Sequence, residues 1–427
     1  MVSMAEYGVT RFRAARLGAS PLLRAFGALG SAEAINRVTR IVASICLARA
    51  LGPVEFGVAA IALTTAELLR VFTQTGLGAQ IIQAPEAALE EVCAAAYRLN
   101  WQMHGAMFAI QVLLAWPVSV FFDNSAIGWM IVVLAIPLLI YPFAAIRVYR
   151  TQRRNRMGLI GATTALQISS DNLLTGIMAL SGFGLWSVVV PKLIVAPLWV
   201  LCYARIEPWR AGLRAMPEVM RSCRAFGGKI LGSEVIGALS IHADKFIIGA
   251  LLGLEAVGVY FFAFNAGLGI TRAFVAAASL GLLPHLCAAR DASEQRARFK
   301  SGLAMSYAMT APILVAQIAL APLYVPFVFG AKWADSTSLV MVLCASAVTW
   351  PLWRATVQLW RAQGRPGYEL GWTTLYTALS LIATAAGTVY GLMAIGFLLL
   401  GLNLAIVPIA AYSAMRHRSN PLQRAVP

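Results

Sequence analysis

Charge is scarce in this 427-residue sequence. Asp, Glu, Lys and Arg make up 12% of it, about half the share that a soluble domain uses to solvate its surface. That excludes a soluble globule. The scarcity is also uneven: from Leu370 to Met415, 46 residues (415 − 369) pass without one of these four types. A membrane-crossing helix needs about 20 apolar residues, so this stretch holds two, hinged near Tyr390-Gly391. Apolar residues reach 59% of the chain, and mean hydropathy is +0.74.

Acid is scarcer than base. The 18 Asp and Glu against 34 Lys and Arg leave a net charge of +16. In a soluble protein this would suggest nucleic acid, but no basic segment is long or interleaved with aromatics, so no such partner is expected. The six cysteines (Cys46, Cys93, Cys202, Cys223, Cys287, Cys344) form no CxxC pair. They read as small apolar residues, neither a disulfide framework nor a metal site. The four histidines are scattered with no HExxH, so no metal and no other cofactor is expected. The first 30 residues carry Arg11, Arg13, Arg16 and Arg24 and lack the apolar core of a cleavable signal peptide. They fit an amphipathic segment on the cytoplasmic surface.

What is present is a series of apolar runs. Windows of about 20 residues give twelve spans, near 31–50, 54–76, 92–121, 126–147, 158–181, 184–204, 226–252, 256–283, 299–327, 336–360, 368–390 and 392–414. The first, fifth and seventh are unusually polar. The expected fold class is an all-α polytopic membrane protein with about twelve transmembrane helices.

Basic residues gather in alternate breaks between spans. Arg147, Arg150, Arg153, Arg154 and Arg156 follow span four; Arg205, Arg210, Arg214, Arg221, Arg224 and Lys229 follow span six. Arg290, Arg296, Arg298 and Lys300 follow span eight, and Arg361 and Arg365 follow span ten. The positive-inside rule places these breaks and both termini in the cytoplasm. The break after span two departs, with Glu86, Glu90 and Glu91, but acids weigh little in that rule. Trp116, Trp129, Trp186 and Trp333 flank the opposite breaks, as an interfacial aromatic belt does.

The chain also repeats itself. Glu33, Ile35, Leu51-Gly52 and Gly57-Val58 match Glu234, Ile236, Leu252-Gly253 and Gly258-Val259 at a constant offset of 201 (234 − 33). A shift of six spans, from span one to span seven, preserves orientation, so two six-helix halves would be parallel repeats about an axis along the membrane normal. The expected organisation is a cytoplasmic segment 1–30, an N-lobe 31–204, a linker 205–225, a C-lobe 226–414 and a cytoplasmic tail 415–427. Two lobes around a central cavity suit alternating access, the work of a transporter.

Ionisable residues inside spans are expensive and usually face a cavity or a partner. Span one has Glu33, Arg37 and Arg40 on one helical face, and span two has Glu67 and Arg70. Span seven has Glu234, His242, Asp244 and Lys245; Arg272 lies in span eight, Arg354 in span ten, and Lys192 in span six. The Glu33–Arg37 and Glu67–Arg70 pairs also read as structural pairs, and others as residues that snorkel to the headgroups. As a set, however, Arg37, Arg40, Arg70, Arg272, Arg354 and Lys245 form a cationic chamber that needs anions. Arginine's planar fork suits phosphate. Glu33, Glu67, Glu234 and Asp244 are candidates for coupling to a proton or sodium ion.

Three segments carry a family resemblance. Leu51-Gly52-Pro53-Val54-Glu55-Phe56-Gly57 resembles the LGPxxFG signature of bacterial polysaccharide exporters. Thr75-Gly76-Leu77-Gly78-Ala79-Gln80-Ile81-Ile82-Gln83 is similar to their GLGAAxIQ segment. Asp244-Lys245-Phe246-Ile247-Ile248-Gly249, Leu252-Gly253 and Gly258-Val259-Tyr260 resemble their D(K/R)xxIG, LG and GxY pattern. The family is the Wzx-type oligosaccharide-lipid flippases, especially the colanic-acid-exporter-like branch of the multidrug/oligosaccharidyl-lipid/polysaccharide superfamily.

The resemblance implies a MATE-like, two-lobed fold in the bacterial inner membrane. It implies passage of an undecaprenyl-diphosphate-linked oligosaccharide repeat unit between leaflets for exopolysaccharide synthesis. Possible partners are a polysaccharide polymerase and co-polymerase, besides the bilayer itself. The related lipid II flippases typically have fourteen spans, more than this chain has room for. Ion-coupled drug efflux would favour acids in the cavity rather than arginines. A glycan-assembly enzyme would need a sizeable catalytic loop or an acid–base pair, and neither is apparent.

Overall fold

The computed structural model describes residues 21–73, 77–210, 217–279 and 281–416, with the side chains of 21–31, 217–234, 270 and 273 outside that description. Arg11, Arg13, Arg16, the middle of the expected linker (211–216) and the tail beyond 416 therefore lie outside the described residues, as does the side chain of Glu234. Among the described residues the chain is helical and has no strand.

Each expected span has a helical counterpart. These are α1 (Pro21–Ala50), α2 (Pro53–Val71), α3 (Leu89–Phe121), α4 (Ser125–Ile140), α5 (Met157–Leu180) and α6 (Trp186–Ile206). The run Pro217–Ser279 breaks at Gly253, whose φ of 86° and ψ of 176° only glycine adopts cheaply. Its arms are α7 (217–252) and α8 (254–279). Then come α9 (Ala292–Tyr324), α10 (337–362, with a tight turn at 347–349), α11 (Pro366–Gly387) and α12 (Leu392–Arg416). The hinge expected near Tyr390-Gly391 is a short turn ending at Gly391, φ 91°.

Two boundaries differ from the hydropathy reading. α4 bends by 51° at Tyr141 and continues as a helix, Pro142–Arg153. Pro142 removes a helical donor there, and Pro137 lies one turn earlier. Between α2 and α3 the chain forms a short helix, Leu77–Gln83, and one 3-10 turn, Glu86–Ala88.

Six helices among the described residues, with the α7–α8 run (235–269) counted as one, are long and apolar enough to cross a membrane unaided, or seven with the bent pair. The α1, α2, α5 and α11 helices do not qualify by themselves because they carry polar faces. Their packing explains why. Along the α1–α5 contact, Ser169 Oγ donates to Asn36 Oδ1 at 3.3 Å, and Asn172 Nδ2 donates to Thr39 Oγ1 at 3.0 Å. Gly176 lets α5 approach Cys46 and Ala43 of α1. In α11, Thr377, Ser380 and Thr384 return their hydroxyls to carbonyls of their own helix. Polar side chains satisfied this way can be buried inside a membrane.

Helices α1 to α6 pack chiefly among themselves, as do α7 to α12, and α2 against the α7–α8 run is the most extensive crossing. That crossing obeys the repeat. A Cβ on Gly57 would stand 1.8 Å from the Leu254 carbonyl oxygen, and a Cβ on Gly258 would stand 1.8 Å from the Pro53 carbonyl oxygen. Both pairs of equivalents, 57/258 and 53/254, are 201 residues apart, so the contact is symmetric about a local two-fold axis. No side chain fits at either glycine. Beside it Trp333 is fully buried, stacked on Phe262 at 4.0 Å and edge-on to Phe56 at 5.2 Å.

Most letters of the LGPxxFG motif have a structural role. Leu51 is 1% exposed; Gly52 is the extended residue before α2; Pro53 begins the helix without needing a donor. The Glu55 carboxylate accepts from the Gly52 N–H at 2.8 Å, which caps α2. Phe56 enters the aromatic cluster and Gly57 makes the crossing.

Candidate functional site

The charged side chains of the spans sort into paired and unpaired ones. Arg37 pairs with Glu33 at 2.7 Å and Arg70 with Glu67 at 2.6 Å, each within one helix and partly open to solvent. Arg40 on α1 and Arg354 on α10 make no hydrogen bond or ion pair with any described residue. Among the described residues Arg272 on α8 has only the Phe264 ring, 5.7 Å away. These cations are not scattered. The Arg272 guanidinium lies in the repulsive field of Arg354, Arg40 and Arg37. Cations of α1 and α10 thus lie within electrostatic reach of Arg272 on α8, and both halves of the chain contribute. His242 on α7 borders the same region, within electrostatic reach of Glu67, Asp244, Lys245 and Arg272.

Lys245 is placed differently. It is 3% exposed, and its ammonium donates to Asp244 Oδ1 and the Ile241 carbonyl, both at 2.8 Å. Asp244 also accepts from the Lys245 N–H at 2.9 Å and from the buried Tyr260 hydroxyl on α8 at 2.8 Å. Asp244 and Lys245 therefore join α7 to α8 and leave little of the lysine for a ligand. Phe264 lies under both Lys245, at 5.2 Å, and Arg272.

One intramembrane ion pair was not singled out as a site from sequence. Lys192 on α6 donates to Asp171 Oδ2 on α5 at 2.6 Å, while Asp171 Oδ1 is buried without a partner. Tyr141, at the bend in α4, lies within the field of Arg70, Asp171 and Glu67. The signal was available: a lone Asp and a lone Lys in consecutive apolar spans invite pairing.

Outside the spans, Arg150, Arg153 and Arg154 are engaged by carboxylates. Arg150 pairs with Glu90, and its Nε donates to Glu207 at 3.2 Å. Arg154 reaches the other Glu207 oxygen at 2.7 Å. Arg153 pairs with Glu86 at 2.7 Å and donates to the carbonyls of Ile81, Ile82 and Ala84. The Trp209 indole donates to Glu90 at 2.9 Å. Three breaks are thereby knitted together, after α2, after α4 and after α6, and two of the acids that departed from the charge pattern, Glu86 and Glu90, are the arginines' partners. These breaks share one face of the protein.

On the opposite face the two halves are clasped. Arg49, ending α1, donates to the carbonyls of Val328 at 2.8 Å and Phe327 at 2.9 Å. Lys332 donates to the carbonyls of Arg49 and Leu51, and Trp333 to that of Ala48. These are orphan carbonyls at a helix C-terminus, where cations are favoured.

A family of proteins described as "Polysaccharide biosynthesis protein" matches residues 46–338, more than half of the chain. The chain belongs to that family. Among curated relatives, the succinoglycan biosynthesis transport protein ExoT of Rhizobium meliloti (strain 1021) is 25% identical over 364 residues, covering 81% of this chain and 69% of the relative. The lipopolysaccharide biosynthesis protein WzxC of Escherichia coli (strain K12) is 22% identical over 359 residues, covering 81% and 71%. Among solved structures, the lipid II flippase MurJ in an inward closed conformation superposes with a TM-score of 0.77 at 11% identity, covering 90% of this chain and 87% of that one. An inward-facing multidrug resistance MATE transporter of the MOP superfamily gives 0.74 at 13% identity, covering 92% and 96%. The fold of this family member is thus an all-α, MATE-like membrane fold.

Proposed function

We propose that this protein moves a polyprenyl-diphosphate-linked oligosaccharide across the bacterial inner membrane for surface or exopolysaccharide synthesis. The observation that carries the reading is the set of uncompensated arginines, Arg272 with Arg40 and Arg354 within its electrostatic reach, drawn from both halves. All three are open to a ligand, and like charges brought near one another without counter-ions repel; a diphosphate supplies the missing anions, and each guanidinium offers a matching fork. Kinship with proteins named for polysaccharide transport supports the same cargo class. The protein acts as a transporter rather than an enzyme. A cavity for cationic drugs would carry the opposite charge.

Its residues take the following roles. Arg40, Arg272 and Arg354 hold the diphosphate, joined by Arg37 and Arg70 as cargo displaces Glu33 and Glu67 from them. A carboxylate released in this way is free to take a proton or a sodium ion, which couples the two movements. Asp244, and Glu234 as the repeat equivalent of Glu33, are the corresponding acids of the second half. Lys245 acts through Asp244 rather than on the cargo. The lobes are 31–204 and 226–414, joined by a linker at 205–225, and both termini are cytoplasmic. The tight α2–α8 crossing then closes the periplasmic face while the arginines await cargo from the cytoplasmic side.

The test is export complementation alongside membrane abundance for Arg40→Ala, Arg272→Ala, Arg354→Ala and the corresponding Lys variants. The expected result is lost export at unchanged abundance, with partial rescue by Lys, which lacks the fork. Normal export by all three Ala variants and their combination would refute the reading.

A further inference from the structure

The clasp on the face opposite the termini leaves more than a helix cap. Arg49 and Lys332 line one recess of about 460 Å³ together with Pro326, Phe327, Phe329 and Gly330. That volume falls within the range of ligand sites, about 300–1,000 Å³. Neither cation pairs with a carboxylate among the described residues. Glu55 lies within electrostatic reach of Lys332, but its carboxylate is already engaged by the Gly52 N–H.

The donors do not balance against the acceptors supplied. A guanidinium has five N–H donors and an ammonium three. Arg49 uses Nε and one bond from Nη2, and Lys332 uses two bonds to carbonyls. Spare charged donors from two side chains thus remain along one recess. Capping α1 explains the Lys332 bonds, and Arg49 satisfies two carbonyls of the 325–329 segment; neither explains why two cations stand in one recess with Arg49 Nη1 unused.

The surroundings indicate what kind of anion fits. Phe327 is 83% exposed at the rim, and Val54, just past the end of α1, is 48% exposed. Both belong where a helix leaves the membrane, so the recess opens beside apolar surface. A ligand with an anionic head and an apolar tail satisfies both parts. We propose that Arg49 and Lys332 form a lipid-phosphate site in the leaflet opposite the termini. Here the phosphate of an anionic lipid bridges the end of α1 in the first half to the 325–332 segment of the second. Such a lipid stabilises the clasp because it needs both halves in place. The proposal rests on the transport reading only in allowing the carrier lipid itself, once translocated, to be one such phosphate.

The experiment uses the full chain purified and reconstituted into nanodiscs of phosphatidylcholine alone or with a fraction of phosphatidylglycerol. Wild-type protein should gain thermal stability from phosphatidylglycerol, and Arg49→Gln with Lys332→Gln should weaken that dependence about tenfold or more in apparent affinity. That is the scale of losing one or two charge-assisted bonds. Arg296→Gln, a basic residue on the other face, should leave the dependence unchanged. Equal lipid dependence in wild type and the double variant would overturn the proposal, as would stabilisation by inorganic phosphate in solution but none by phosphatidylglycerol.

Should the double variant not fold, wild-type protein with a head-group photo-crosslinking phosphatidylglycerol decides the matter. Adducts within 326–332 and at 49–54 support the site, and adducts confined to other segments sink it. Loss of export by the cavity arginine variants with intact lipid dependence leaves this site standing. The reverse pattern refutes it alone.

Discussion

Two arginine clusters in this protein use the same side chain for opposite ends. On the terminal face, Arg150, Arg153 and Arg154 meet Glu86, Glu90 and Glu207, and Glu207 is 1% exposed. Within the spans, Arg40 and Arg354 lie within electrostatic reach of Arg272, and no acid among the described residues pairs with any of the three. The first arrangement is complete as it stands and holds three loops together. The second is incomplete without an anion from elsewhere. A cation whose partner belongs to the protein is architecture; one whose partner is absent is available for cargo.

The comparison can be broken most severely by Arg272→Glu, which places an acid among Arg40, Arg354 and Arg37. It should cut export about a hundredfold, since two or more charge-assisted bonds to a phosphate are lost and repulsion is gained. Thermal stability should hold or rise, because the acid neutralises mutual repulsion. Export at the wild-type level would contradict the cargo role of the cluster.

The loop cluster should respond the other way round. Glu207→Ala leaves the largely buried Arg150 with Glu90 alone and takes away the acceptor of the half-exposed Arg154; leaving a buried donor without its acceptor costs about 1–3 kcal/mol. A drop in melting temperature and membrane abundance is expected, with export per folded molecule unchanged. Unaltered abundance would mean that these bonds are not structural.

Gly57→Ala and Gly258→Ala add a methyl group where a backbone carbonyl oxygen already stands. Overpacking costs about 1–3 kcal/mol, and here it falls on the closed crossing. Labelling of cysteines introduced beside the crossing, from the face opposite the termini, should increase equally in both variants because the contact is symmetric. An increase in only one would break that symmetry.

The smallest effect is expected at Glu33→Gln. A partly exposed pair one helical turn apart contributes about 0.3–0.5 kcal/mol, so abundance should not change. In a reconstituted flipping assay the variant should lose its response to imposed pH or sodium gradients. A full gradient response would remove Glu33 from coupling.

Much of the fold was legible in the sequence because membranes make hydropathy informative. The hinge at Gly391, the break at Gly253 and the repeat at offset 201 all came from local pattern. The bend at Tyr141 did not, since Pro137 and Pro142 lie within one uninterrupted apolar run. The candidate site was half legible. Arg40, Arg272 and Arg354 stood out as charges within spans, and pairing of Glu33 with Arg37 followed from helical spacing. Lys245 looked equally available, and only tertiary contact shows it committed to Asp244 and Ile241. Likewise Arg49 and Lys332 are 283 residues apart, a distance at which no local pattern pairs them.

The most direct test is transfer of a diphosphate-linked lipid oligosaccharide between leaflets of proteoliposomes. It compares wild-type protein with the Arg40→Ala, Arg272→Ala, Arg354→Ala triple variant at matched amounts of folded protein. Wild type should accelerate transfer over protein-free vesicles, inorganic pyrophosphate should inhibit it, and the triple variant should fall to the protein-free rate. Wild-type transfer by the triple variant, indifferent to pyrophosphate, would contradict the account.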